Sequence, residues 1–407
     1  MALALAAAAD GESELRHCSR RAEVEAFLSV LSGLGLTAQR NGEEVKLVGG
    51  PLHPSDGPLD AGRSELLFAC LAGLLAGLPF KTQVEADLAN PATAEGVLEA
   101  LRALGACVSR AEGDRFAVEI DGGKLKAGQY RIEEPNTAVK CAMFIAGRTA
   151  QGKVELLQGS AGDDDLEWLF RAANVRLGKA RSAEADAYAL TLEGPAAVRP
   201  ALHDLPGCPD AALFLLMSAA MQPRSDLTLN AVGNDWKTRR GLELLRRMNA
   251  QIDIQVVRSA SKFPIRRVRV VGSELRRTKI SGAQAALFLH ELPFLAVAGA
   301  CAAGETIIRD AHALREGPVD CLALVAENLR KMQVRVGEMP DGLVIQGGRP
   351  LQGAEVNAGG DPRVGMAFAL AGRVAEGPTV VVNSGHIERA FPGVFECLAS
   401  VSQQKGD

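Results

Sequence analysis

The chain has 407 residues, 47% of them apolar and 23% charged, with a formal net charge of −4. This is an ordinary globular composition, with length enough for two or more domains. The slightly acidic balance excludes a broad basic footprint for nucleic acid or for an anionic membrane surface.

Taken in chain order, an alanine- and leucine-rich helix runs six times into a small turn and then a β-branched strand. The copies are residues 1–15, 64–84, 136–156, 210–229, 282–308 and 361–382. Their turn residues, Gly11, Gly77, Gly152, Arg224, Gly304 and Gly377, recur every 66 to 80 residues. That period is too long for a solenoid repeat, so each copy reads as one supersecondary unit of mixed α and β. The opening MALALAAAAD has the look of a signal-peptide core, but no basic residue precedes it, and the repeat explains it better.

A second helix with one-sided apolar spacing follows in each unit, at 22–35, 94–105, 166–175, 241–250 and 321–334. Such a stripe packs on a sheet. Short alternating segments at 44–48, 116–120, 187–192 and 342–345 predict strands joined by Gly/Asp turns. The fold class is therefore α/β (α+β), built of β-α-β-α-β-β units. The Pro-, Gly- and Ala-rich stretch 194–206 separates copies three and four, which predicts domains over 1–200 and 201–407.

The eight cysteines are scattered without Cys-x-x-Cys or metal-like spacing, a pattern of buried free thiols in a reducing compartment. The longest apolar stretches, 66–80 and 285–304, are too short for a membrane span or carry His290 and Glu291. The expected location is the cytoplasm, with no metal site.

The turns before the apolar helices read AGRSE (61–65), EPNTA (134–138), PGCPD (206–210), SGAQA (281–285) and GGDPR (359–363). A helix start presents unpaired N–H groups and suits an anion. Three such starts per domain, facing across a cleft, favour a phosphorylated or carboxylated ligand held without metal. The competing reading is that Ser64, Asn136, Thr137 and Asp210 are N-caps. Both readings stand at this point.

At these residues the chain resembles the enolpyruvyl transferases, most closely EPSP synthases (3-phosphoshikimate 1-carboxyvinyltransferases). LPGCPDAALFL (205–215), KTRRGLELLRRMNAQI (237–252), HELPFLAVAGACAAGET (290–306) and GDPRVGMAFALAG (360–372) are each similar to a family stretch. The resemblance implies two inverse domains of three units each, with an interdomain cleft. It implies addition of an acceptor hydroxyl to C2 of phosphoenolpyruvate followed by loss of phosphate. The implied partners are an anionic small molecule and phosphoenolpyruvate, with no cofactor.

Many chemical positions depart from that pattern. The family's P-G-(D/S)-K-S loop would precede Met1. Asn90 stands at the arginine of its R-P motif, Asn136-Thr137-Ala138 at S-S-Q, and His290 at the aspartate of D-E, with Glu291 following as expected. Gly317-Pro318-Val319-Asp320-Cys321 replaces K-E-(S/T)-(D/N)-R, removing a lysine and an arginine together. Asp361-Pro362-Arg363 keeps the arginine of D-H-R and loses the histidine. A charge-assisted contact contributes roughly 1.5–3 kcal/mol, so several losses remove most of the usual catalysis.

His290 and Glu291 are the catalytic candidates, a histidine titrating near neutrality where the family has an aspartate. Arg363 and Asp361 are candidates for anion binding. Ser64, Arg63, Asn136, Thr137, Lys140 and Arg239 complete the substrate-binding set: Lys140 matches a family helix lysine, and Thr238 and Arg239 match N-x-T-R. Asp163-Asp164-Asp165 leads into a helix and reads as capping and dipole charge. Three functional readings stay open, since fold does not fix chemistry. They are a transferase that still uses phosphoenolpyruvate, a related enzyme performing another addition or elimination on an anionic shikimate- or cyclitol-like ligand, and a non-catalytic scaffold or regulatory protein.

Overall fold

The computed structural model describes residues 1–88, 91–111, 114–133, 135–159, 165–182, 187–258, 264–317, 319–391 and 393–403. Asn90, Glu134, Asp163, Asp164 and Pro318 lie outside them. Two compact units divide after Leu205, and each is described by itself.

In the first unit, α1 (Ala2–Ala8), β1 (Gly11–Arg16), α2 (Ala22–Gly33), β2 (Thr37–Asn41) and β3 (Glu44–Gly49) form the first repeat. The second is β4 (Leu59–Asp60), α3 (Glu65–Leu75), β5 (Lys81–Ala86), α4 (Pro91–Ala103), β6 (Cys107–Arg110) and β7 (Phe116–Asp121). The third is β8 (Lys126–Ile132), α5 (Thr137–Gly147), β9 (Gln151–Gln158), α6 (Asp165–Ala172), β10 (Gly178–Ser182) and β11 (Ala187–Gly194), followed by β12 (Leu202–Asp204).

The second unit begins with α7 (Pro209–Met221), β13 (Asp226–Gly233), α8 (Trp236–Arg247), β14 (Gln251–Arg258) and β15 (Pro264–Val271). Its next repeat is β16 (Lys279–Ile280), α9 (Ala283–Leu287), α10 (Leu292–Cys301), β17 (Gly304–Ile308), α11 (Cys321–Lys331), β18 (Arg335–Met339) and β19 (Gly342–Gly347). The last is β20 (Glu355–Asn357), α12 (Pro362–Gly372), β21 (Val380–Val382), α13 (Ile387–Ala390) and α14 (Val394–Gln403).

The same sheet recurs. The strand before the buried helix pairs parallel with the strand after it, and a hairpin adds two antiparallel strands, giving the orders β4-β5-β7-β6, β8-β9-β11-β10 and β16-β17-β19-β18. In the first repeat β12 takes the parallel edge beside β1. That pairing is why the first unit extends to Leu205, near the end of the Pro-rich stretch rather than before it.

The helix classes follow from sequence. α3 and α10 are apolar nearly all round, as is α5 apart from Thr137 and Lys140, and all three are buried nearly throughout, as a helix without a polar face must be. α4, α8 and α11 are one-sided and cover the sheets. Phe214 of α7 stacks on Phe294 of α10, ring centroids 3.7 Å apart. Gly49, Gly122, Gly194, Gly272 and Gly347 close the last strand of the first five repeats. At each, a Cβ would overlap carbonyl oxygens of the turn or helix end packed against it. The close contact of strand end on helix end therefore requires glycine.

Candidate active site

In the second unit the starts of α7, α8, α10, α11 and α12 carry the chemistry. Gly359 and Gly360, at φ +60° and +77°, turn the chain into α12 through a conformation other side chains rarely adopt. Asp361 caps that helix, accepting from the backbone N–H of Arg363 at 2.8 Å and of Val364 at 3.3 Å. The guanidinium of Arg363 returns to the same carboxylate. Its Nε donates at 3.0 and 3.2 Å and its Nη2 donates as well.

Nη1 of Arg363 donates to Nδ1 of His290 at 2.6 Å. A guanidinium offers donors only, so Nδ1 is the acceptor and the proton of the neutral ring sits on Nε2. Partial desolvation, then the charges of Arg363 and Lys237, holds His290 below its ordinary value. The ring is thus a neutral N–H donor at neutral pH. Cys321 donates its thiol to Asp361 at 3.4 Å. Burial, reinforced by the Asp361 charge, pushes that thiol up to about 12, so it is no nucleophile.

Beside this lies a second cluster. Lys237, in the first turn of α8, places Nζ 2.8 Å from Oδ1 of Asp210 on α7 and 2.7 Å from Oε1 of Glu291 at the start of α10. Glu291 is only 1% exposed. Burial raises its carboxyl to about 7 against the pull of Lys237, and the Asp210 charge adds to the rise. Burial also works to raise Asp210, but Lys237 and a hydrogen bond with Glu291 leave it below its ordinary value. Desolvation disfavours the Lys237 charge, and the two carboxylates outweigh it, raising Lys237. Next to the α12 turn, a recess of about 410 Å³ is lined by Gly359, Gly360, Asn383, Gly385 and His386, within the range small ligands fill.

The structure therefore brings His290, Glu291, Asp361 and Arg363 into two adjoining clusters. Arg239 lies over the Trp236 ring instead, its guanidinium carbon 5.9 Å from the ring centroid. Thr238 is buried and bonds the α8 cap Asp235. Arg315 is tied to Asp320 at 2.7 Å and to two carbonyls.

In the first unit, Ser64 accepts from the Leu67 N–H at 3.2 Å, and Asn136 accepts from Ala138 and Val139 at 3.0 and 3.1 Å. Both cap their helices. Thr137 is exposed at the start of α5. Arg63 makes a surface ion pair with Asp87 at 3.8 Å, a contact of little energetic weight. Lys140 is buried with Nζ 2.6 Å from Glu167. It lines a cavity of about 20 Å³ with Asn136, Thr137, Gln158 and Asp165, room for one water.

Sequence reasoning missed Lys237 and weighed Asp210 as a helix cap or a ligand contact; the cap position of α7 is Cys208, and Asp210 pairs with Lys237 instead. The available signal was position: Lys237 opens the matched K-T-R stretch, and Asp210 ends PGCPD. Among the described residues, no group of three or more His, Cys, Asp or Glu side chains is placed to hold a metal. No described helix is long and apolar enough to cross a membrane.

The profile of the EPSP synthase (3-phosphoshikimate 1-carboxyvinyltransferase) family matches residues 1–398. The 3-phosphoshikimate 1-carboxyvinyltransferase of Herpetosiphon aurantiacus is 32% identical over 404 residues, covering 98% of this chain and 93% of the relative. That of Gloeobacter violaceus is 33% identical over 411 residues, covering 99% and 94%. Among solved structures, EPSP synthase from Acinetobacter baumannii superimposes with a TM-score of 0.87 at 25% identity, covering 98% of this chain and 91% of that one. The enolpyruvyl transferase NikO from Streptomyces tendae shares the fold, with a TM-score of 0.72 at 18% identity and the same coverage. With the family profile spanning nearly its whole length and relatives above 30% identity, this chain belongs to the EPSP synthase family of enolpyruvyl transferases.

Proposed function

We propose that this chain is a diverged enzyme of the family, acting by addition or elimination on an anionic small molecule of the phosphorylated or carboxylated shikimate or cyclitol type. The observation that carries this reading is Glu291, a buried carboxyl held to about 7 beside Lys237 and Asp210. A group titrating near working pH is what general acid–base catalysis requires. Arg363 anchors a ligand carboxylate or phosphate by exchange with Asp361, and the Nε2–H of His290 donates to an oxygen that gains charge. Glu291 takes or returns the proton at carbon.

The same geometry argues against ordinary enolpyruvyl transfer. Lys237 and Arg363 face three carboxylates, Asp210, Glu291 and Asp361, so this unit's site has no surplus of positive charge for a trianion. Gly317 and Cys321 stand where the family's lysine and arginine are expected.

The test is thermal denaturation with shikimate, shikimate 3-phosphate and myo-inositol 1-phosphate as probes. At least one is expected to raise the melting temperature, and Arg363→Gln is expected to cancel the rise. No shift with any of the three overturns the reading. Phosphate release from shikimate 3-phosphate plus phosphoenolpyruvate at a steady catalytic rate would instead return the protein to the family's own reaction.

A further inference from the structure

Helices α3 and α5 of the first unit approach unusually closely. At Gly73 a Cβ would lie 2.7 Å from the carbonyl oxygen of Ala142 and 3.0 Å from its Cα. Beside this contact the sulfurs of Cys70 and Cys141 face one another at 3.5 Å. The two residues are 71 apart in sequence, and they are 1% and 0% exposed. Neither has a part in the chemistry proposed above.

A buried cysteine in a core ordinarily acts as a small hydrophobe. Two sulfurs in mutual contact are a different case. A disulfide needs an S–S length of about 2.05 Å and a Cα–Cα span of roughly 4.4–6.8 Å. The sulfurs must therefore close by about 1.5 Å. Rotation about the Cα–Cβ bonds supplies such a movement where backbones already approach as they do at Gly73. The contact is also polarised, because the hydrogen bond between the two sulfurs outweighs desolvation and draws the Cys70 thiol below its ordinary value. That raises the thiolate fraction, the form that reacts.

We propose that Cys70 and Cys141 are a reversible oxidation site, in which a hydroperoxide joins α3 to α5 through a disulfide. The Cys70 sulfur attacks one peroxide oxygen and the O–O bond breaks, leaving a sulfenic acid on Cys70 and, with hydrogen peroxide, one water. The Cys141 sulfur then attacks the Cys70 sulfur. The S–O bond breaks, and hydroxide leaves as a second water with the Cys141 proton. Two thiols are oxidised and one peroxide is reduced to two waters. Hydrogen peroxide is scarcely larger than water, so local opening of the helix pair admits it.

The experiment treats the native protein with hydrogen peroxide, blocks remaining thiols, and maps peptides by mass spectrometry without reductant. The expected product is one linked peptide pair containing Cys70 and Cys141, lighter by two hydrogens, reverting with dithiothreitol and accompanied by a higher melting temperature. Cys70→Ser and Cys141→Ser are each expected to abolish it. The exposed Cys107 and Cys397 serve as internal controls. If both controls are oxidised while Cys70 and Cys141 stay reduced, or if Cys70 proceeds to sulfinic acid without linking, the proposal is overturned. The map of the unaltered protein decides this even if a variant fails to fold.

Discussion

Lys237→Ala is expected to destabilise the second unit by about 3–5 kcal/mol at pH 8, because it leaves the buried Glu291 carboxylate, with the part-exposed Asp210 beside it, without a cation. Glu291 is 1% exposed and has Lys237 at 2.7 Å; Asp210 has the same ammonium at 2.8 Å. The loss is expected to depend on pH. The folded-state pKa of Glu291 is raised, so its favourable contribution is complete below the ordinary glutamate value and is lost as pH rises through about 7. Without Lys237 the pKa rises further. The variant therefore loses less stability at pH 5.5, where Glu291 is protonated in both proteins, than at pH 8. Urea denaturation at the two pH values measures this. An equal loss at both would mean that Lys237 acts through packing rather than charge.

Gly49→Ala is expected to cost about 3 kcal/mol, the upper part of the range for overpacking, while Gly50→Ala next to it costs almost nothing. A Cβ on Gly49 overlaps the carbonyl oxygens of Ala6 and Ala9, whereas a Cβ on Gly50 meets nothing within 4 Å. Neither glycine has a positive φ, so alanine is not excluded by backbone conformation and the difference is steric. Denaturant midpoints of the two variants provide the comparison. A similar small effect from both would show that strand end and helix end separate easily.

Most of the fold was legible because its repeat rests on two robust signals. All-apolar helices such as α3 and α10 can only be buried, and one-sided helices such as α4 can only cover a sheet. The edge position of β12 was hidden, since three residues carry too little pattern to show that they pair with β1. The glycines at 49, 122, 194, 272 and 347 were also unread, although they recur nearly in phase with the repeat. Their role appears only when the facing carbonyls are in view.

The candidate site was legible where a helix start announced itself. Asp361 and Arg363 lie in a turn whose position marks them, whereas His290 and Glu291 fall inside an apolar stretch and are singled out by the family resemblance alone. Lys237 has no such mark, because its meaning comes from reaching two helices distant in sequence. Ser64 and Asn136 showed the opposite ambiguity: the side chain that caps a helix is the same one that would greet an anion. Lys140 matched a family lysine, and its ion pair with Glu167 depends on a helix whose placement no local pattern gives.

The most direct test of the central claim is the titration of Glu291, followed through its protonated-carboxyl infrared band by difference between the unaltered protein and Glu291→Gln. A midpoint near 7 is expected, displaced upward in Lys237→Ala. A midpoint at the ordinary glutamate value, unmoved by loss of Lys237, would contradict the assignment of Glu291 as the proton-transfer group.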